Sequence, residues 1–540
     1  MTSYDYVIVG AGSAGCVLAN RLSADPSTRV LLLEAGGSDR KLNVRIPTAF
    51  AKQFRSDLDW SYIAEPEPNL IGRSIFLPRG RSLGGSSSMN AMIYIRGHRT
   101  DFDEWAARGA EGWGYDDVLP YFKRSEDNER LGESEFHSAG GGLNVADPTW
   151  TSPLTKRFIA SAEAAGFERN DDFNGAQQEG VGRFQLTQKR GRRWSAADAF
   201  LHPIRKERPN LTVATGAHAH RVLLEGTRAV GVEYHSDDGL HTVRASREVV
   251  LSAGAFNSPQ LLMLSGIGPA DHLTSVGIEP VVDSPHVGEH LQDHPLATVT
   301  YAVNEPVTLF DATHPKYLVE YLVGQGRGKL SSNVAEAGAF FRTRSDLRSP
   351  DMELLMGAAY YSDNGFRTYP GHAFTIGPSF IRPVSEGSVR LRSSNPHEKP
   401  LIRLNWLSER SELEAMIAAL RTCFEIAENG ALGEIVDTNI DPGPGVRSDE
   451  QLEAWLRADV QHTYHASCTC RMGSSDADSV LDPALRVRGV DALRVVDASA
   501  MPFVTGGNTN APTIMIGEKA ADLMLGAPAP IASSETAAVA

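Results

Sequence analysis

The chain has 540 residues, of which 41% are hydrophobic and 22% charged, and its formal net charge is -15. At roughly 150 residues per domain this length calls for more than one core, and the composition excludes a disordered or fibrous chain. The acidic balance repels phosphate backbones, and no basic stripe interleaved with aromatics occurs, so nucleic acid is not an expected partner.

The only basic run, Lys189 to Arg193, reads as a solvated loop and is left unassigned. Four cysteines, Cys16, Cys423, Cys468 and Cys470, are too few for a disulfide framework and point to a reducing compartment, the cytoplasm by default. The start carries no export signature, and no run of about 18 apolar residues suggests a membrane span. Peripheral contact with the inner face of a membrane stays compatible with such a sequence. The sequence says nothing of oligomeric state.

In chain order, Tyr6 to Val9 is a short apolar run ending in glycine, followed by a helix-like stretch and a second apolar run, Arg29 to Leu33, which together read as βαβ. Between them stands Gly10-Ala11-Gly12-Ser13-Ala14-Gly15, a G-x-G-x-x-G turn that lets backbone amides approach a pyrophosphate at a helix N-terminus. Glu34, with Ala35 after it, ends the second run about 20 residues on, where an acceptor for ribose hydroxyls belongs. The fingerprint does not separate FAD from NAD, because both present an ADP moiety to the same turn. Glu248 to Ser252 and Leu493 to Val496 are similar strand-like runs that complete a parallel sheet. From about residue 300 to 460 the pattern changes, with a strand-like piece at Ser388 to Leu391 and an amphipathic helix over Ser411 to Ala427. The segment 526–540 is small and rich in Pro, Ala and Ser, and reads as a flexible tail.

Two longer motifs carry a resemblance. Gly80-Arg81-Ser82-Leu83-Gly84-Gly85-Ser86-Ser87-Ser88-Met89-Asn90 is similar to the first signature of the glucose-methanol-choline (GMC) oxidoreductases, and the run from Gly254 to Gly268, preceded by Ala253, resembles their second. The likeness is nearest to the bacterial FAD-dependent alcohol dehydrogenase and choline dehydrogenase branch. It implies an α/β fold, with a Rossmann-like FAD-binding domain of the glutathione-reductase type and a substrate domain built on an antiparallel sheet with flanking helices. The FAD-binding part would comprise 1–155, 206–300 and 461–525, and the substrate domain 156–205 and 301–460. Cofactor contacts implied by the resemblance are Arg81, Gly84, Gly85, Ser86, Asn90, the backbone of Val222, Asp497, Ala498 and Thr509, beside the residues of the glycine turn. Some choline-oxidising relatives attach FAD through a histidine where this chain has Met89, so the FAD here is expected to be non-covalent.

Tyr464-His465-Ala466-Ser467-Cys468-Thr469-Cys470-Arg471-Met472-Gly473 is similar to the family segment with the active-site histidine, with Ala466 where proline is usual. His465 is therefore the expected base for the hydroxyl proton. Asn508-Thr509-Asn510 resembles the segment of the second active-site residue, and Asn510 is taken as the match, its amide polarising the substrate oxygen. His462, His465, Cys468 and Cys470 lack the grouping of a structural zinc site, and no metal is expected. The implied reaction is oxidation of a primary alcohol to the aldehyde by hydride transfer to flavin N5, with quinone or oxygen as electron acceptor. Choline is the second substrate class. A flavin-bound lyase acting by acid-base chemistry and an NAD-dependent dehydrogenase are the alternatives.

Overall fold

The computed structural model describes residues 3–530, so most of the expected tail lies outside the described residues. Strand β1 (Ser3–Val9) starts exposed and ends in four buried residues. The chain then turns through Gly10 to Gly12 into helix α1 (Ser13–Leu22) and returns as β2 (Val30–Glu34), buried along its length and parallel to β1. Uninterrupted apolar strands of this kind belong to a parallel sheet covered on both faces.

Strand β3 (Leu211–Thr215) extends the sheet in parallel beyond β2. Next, β4 (His218–Glu225), β5 (Arg228–Ser236) and β6 (Gly239–Leu251) form an antiparallel meander. The end of β6 pairs in parallel with β1, Val249 opposite Val7, and helix α2 (Gly254–Leu264) follows it. Strand β7 (Leu493–Val495) lies parallel on β6. The order is β3-β2-β1-β6-β5-β4, with β7 beside β6. Both runs read as strands at Glu248 and Leu493 thus join the sheet, although β6 begins much earlier, at Gly239. Helix α3 (Asn510–Leu525) packs on α1 so tightly that a Cβ on Gly517 would stand 3.0 Å from the Ala14 Cα.

A second sheet is antiparallel, in the order 436–441, 299–303, 373–380, 352–357, 335–341 and 180–183. The helix Arg410–Glu428, close to the expected 411–427, buries Leu413, Met416, Ile417 and Leu420 in the core under this sheet. The piece expected at Ser388 to Leu391 is a strand over Ser388–Arg390, but it pairs only with Leu401–Arg403, apart from the larger sheet. Among the described residues no helix is long and apolar enough to cross a membrane.

Candidate functional site

A cavity of about 310 Å³ runs from the glycine turn, past Asp497 and Ala498, to His465 and the inner face of the antiparallel sheet. At its first end Gly10 has φ +102°, and a Cβ there would stand 2.4 Å from the Ser252 carbonyl oxygen. Gly15 faces α1's own turn, where a Cβ would come within 1.9 Å of the Gly10 oxygen, so this glycine serves helix packing and does not line the cavity. The Glu34 carboxylate accepts the N–H groups of Ala11 (2.9 Å) and Gly36 (2.8 Å), which fixes the turn. Burial lifts its pKa to about 7 against those two hydrogen bonds. Ser252 Oγ is buried at the same wall, without a hydrogen-bond partner among the described residues.

Gly12, Ser13, Ala14, Ala35, Gly85, Ser86, Asn90, Ala253 and Thr509 also line the cavity. Gly84 stands behind it, at φ +85°, its N–H held by the Ala11 carbonyl at 2.7 Å. Arg81 is outside the lining, with its guanidinium 5.0 Å over the Trp60 ring. Asp497 accepts from the Gly254 N–H (2.9 Å) and the Ser499 N–H (2.8 Å), so it caps α2 and the following turn while facing the cavity. The small residues, the helix N-termini of α1 and α2, and the unpartnered Ser252 hydroxyl fit a long dinucleotide ligand with a pyrophosphate at the turn.

One expected contact is displaced. The Val222 N–H is taken by Ser265 Oγ at 2.8 Å, and the cavity lining at this strand is Ala217, His218 and Ala219.

At the other end His465 is buried in a polar cluster. Its backbone N–H donates to Asp293 Oδ1 (2.7 Å), its Nδ1 lies 3.0 Å from His294 Nδ1, and its Nε2 lies 3.3 Å from Asn508 Nδ2. Asn508 donates there, which assigns the lone pair to Nε2 and the proton to Nδ1. Burial first, and then the neighbouring His294, Arg79 and His462, hold the His465 pKa well below its ordinary value. The ring is thus neutral at pH 7 and able to accept a proton. Burial would raise the Asp293 carboxyl, but His462 and Arg79 outweigh it and hold the pKa at about 2. Asp293 therefore stays ionised and anchors the His465 backbone.

Asn510 also lines the cavity, but its side chain bonds Ser13 and not His465. It is the first residue of α3, and its Oδ1 accepts from the Ser13 hydroxyl at 2.8 Å, tying the starts of α1 and α3 together. The amide that reaches His465 belongs to Asn508, two residues earlier, whose Oδ1 is buried without a partner among the described residues. The cause is local: the helix begins at 510, and the approach to it is set by Gly507, where a Cβ would stand 2.5 Å from Ile95 Cγ2. Sequence reading also missed Asp293 and His294, although an acid-imidazole pair before a β-like run was visible. Arg193, taken as part of a solvated loop, is buried and donates to Asn90 Oδ1 at 2.7 Å.

The walls nearest His465 are apolar. Phe50 and Phe54 meet edge to face at 6.1 Å, and Tyr361 and Tyr464 stand 6.2 Å and 5.7 Å from them. Met89 joins this cluster, with Leu296 and Val334 on the same cavity. The carboxylates among the described lining residues are Glu34 and Asp497, both at the turn end. All four cysteines are buried.

The family model described as GMC oxidoreductase matches residues 4–296 with its N-terminal part and 383–517 with its C-terminal part. An alcohol dehydrogenase [acceptor] of Pseudomonas putida is 45% identical over 97% of this chain and 96% of its own length. Human mitochondrial choline dehydrogenase is 43% identical over 97% and 90%. Among solved structures, a formate oxidase of Aspergillus oryzae, studied for its FAD modification, superposes with TM-score 0.91 at 27% identity, over 97% of this chain and 98% of that one.

Proposed function

The chain belongs to the GMC oxidoreductase family, and from that premise we propose that it oxidises an uncharged primary alcohol to the aldehyde, with His465 and Asn508 as the catalytic pair. The observation that carries this reading is the Asn508-His465 contact at the apolar end of a cavity whose other end is a dinucleotide turn. FAD held along the cavity would supply the hydride acceptor. Gly10, Gly12, Ser13, Ala14, Glu34, Ala35, Gly85, Ser86, Asn90, Ala253, Asp497, Ala498 and Thr509 are the residues proposed to hold it, with Ala217 to Ala219 in place of Val222.

His465 Nε2 takes the hydroxyl proton as the carbinol hydrogen leaves, which avoids a protonated aldehyde. The Asn508 amide N–H stabilises the developing alkoxide without reorienting. The partner at His465 Nδ1 fixes the ring plane, and Asp293 fixes its backbone. Phe50, Phe54, Tyr361 and Met89 exclude water from the reacting bond.

A second reading, choline, is favoured by the same rings, which could face a trimethylammonium group. The absence of a carboxylate among the described residues that line that end places uncharged alcohols first. Anaerobic mixing of the yellow protein with hexanol, benzyl alcohol and choline separates the readings. Bleaching by hexanol or benzyl alcohol is expected, faster choline bleaching would install choline, and no bleaching by any would contradict oxidation. Adding oxygen or a quinone analogue afterwards identifies the acceptor. A thioether at position 89 cannot form the histidyl bond to flavin, so the colour should leave with the supernatant on acid precipitation; colour in the pellet contradicts non-covalent binding.

A further inference from the structure

His218 and His220 lie on β4 either side of Ala219, where the ladder with β5 shifts register, and their ring centres are 5.5 Å apart. His235 of β5 pairs directly with His218 across the ladder, so its imidazole joins the same face. A loop from a distant part of the chain brings His397 over them. The His397 ring centre lies 5.2 Å from that of His218 and 4.8 Å from that of His220. The His235 ring stacks on His220 at 6.0 Å.

Four imidazoles converge here without the partners that satisfy other histidines in the chain. His137 and His202 each have carboxylates, as at Asp39, whereas no ring nitrogen of His218, His220 or His397 has a hydrogen-bond partner among the described residues. His220 Nε2 is buried and unpartnered. A buried, unsatisfied imidazole nitrogen facing other imidazoles is costly unless something accepts its lone pair. A metal ion meets all the lone pairs at once.

We propose that His218, His220 and His397 form a binding site for a divalent cation of the zinc class, with His235 or water in the remaining position. One ligand nitrogen from each of the three lies within 4.8 Å of the other two. Zinc-nitrogen bonds of about 2.0–2.1 Å in tetrahedral geometry set nitrogens about 3.4 Å apart, so each ring closes by rotamer adjustment of about an ångström. All three ligands are nitrogen, which selects zinc, copper or nickel over magnesium and calcium. The ion would clamp the loop carrying His397 to β4. Pro396 and His218 both line the first end of the cavity, so the clamp closes that end. The loop is also held by Gln260 Nε2 to the Glu398 carbonyl at 2.8 Å and by Lys399 Nζ to the Ser61 carbonyl at 2.7 Å.

The second three-residue group with metal-ligand spacing, Asp39, Asp198 and His202, carries no such argument, because His202 Nε2 is already bonded to Asp39 at 2.7 Å.

Calorimetric titration of EDTA-treated, dialysed holoenzyme with zinc chloride tests the site. One zinc per chain is expected, with the affinity falling as pH drops because the imidazoles must be unprotonated. His397→Ala sits on an exposed loop and should fold normally; it and His220→Ala should abolish the stoichiometric phase, while His241→Ala, a half-buried histidine paired with Asp238, should leave it intact. Zinc should also raise the melting temperature of the wild type and not of His397→Ala. The proposal is overturned if the wild type takes up no stoichiometric zinc, or if uptake survives in both His397→Ala and His220→Ala. None of these readouts depends on turnover, so their failure would leave the proposed alcohol oxidation untouched.

Discussion

At the scale of single residues, two asparagines two positions apart do different work. Asn508 touches His465 Nε2, and Asn510 holds Ser13. Asn508→Ala should therefore slow flavin reduction by about 10² or more, with bound flavin retained, since one preorganised donor is lost. Asn510→Ala should act on cofactor content and spare the reduction rate of the fraction still loaded. Rapid-mixing reduction rates set against the flavin-to-protein ratio check this, and a reversed pattern would restore Asn510 as the catalytic amide. The motif alone could not separate the two, because both sit in N-T-N; what separates them is the helix starting between them.

Glu353 gives a second test at this scale. It is fully buried, both carboxylate oxygens lack partners among the described residues, and burial alone lifts its pKa from 4.5 to about 8. A carboxyl whose folded pKa is raised contributes stability below its unfolded pKa and loses it as pH rises through the folded one, here from 4.5 to about 8. Glu353→Gln removes that dependence. The melting temperature of the variant relative to wild type should rise by about 1–3 °C between roughly pH 5 and pH 9. An offset that stays the same at both pH values would contradict the buried, protonated state.

At the scale of elements, the β1-turn-α1-β2 unit was legible because its signals are continuous: an apolar run, a glycine turn and a strand ending in Glu34. The turn makes its own prediction. Gly10→Ala meets both φ +102° and the Ser252 oxygen, and strain of this kind should lower cofactor content about tenfold. Flavin-to-protein absorbance measures it, and full occupancy would remove this turn from the binding site. The antiparallel sheet was much less legible. Ala373–Phe380 and Val299–Val303 are buried at every position, so they show no alternation between an inner and an outer face. His218, His220 and His397 were invisible as a group for a different reason: the loop that joins them is far from β4 in sequence, and no spacing rule spans that distance.

At the scale of the whole molecule, two hydrophobic cores meet along one cavity, the first under the mixed sheet and the second under the antiparallel sheet. The segments 1–155, 206–300 and 461–525 are proposed as the cofactor-binding part and 156–205 with 301–460 as the substrate part. On that division His465 and Asn508 enter from the first part, while Val334 and Tyr361 bring apolar walls from the second. The resemblance at Gly80 to Asn90 and at Gly254 to Gly268 identified the family, whereas the shape of the substrate end is set by Phe50, Phe54 and Tyr361, which no motif contains.

The most direct test is the anaerobic reduction rate of the bound flavin in His465→Ala, followed with a primary alcohol that bleaches the wild type. With flavin content unchanged, the rate should fall by about 10² to 10⁴, the contribution of a positioned base. A rate equal to that of the wild type would contradict the account.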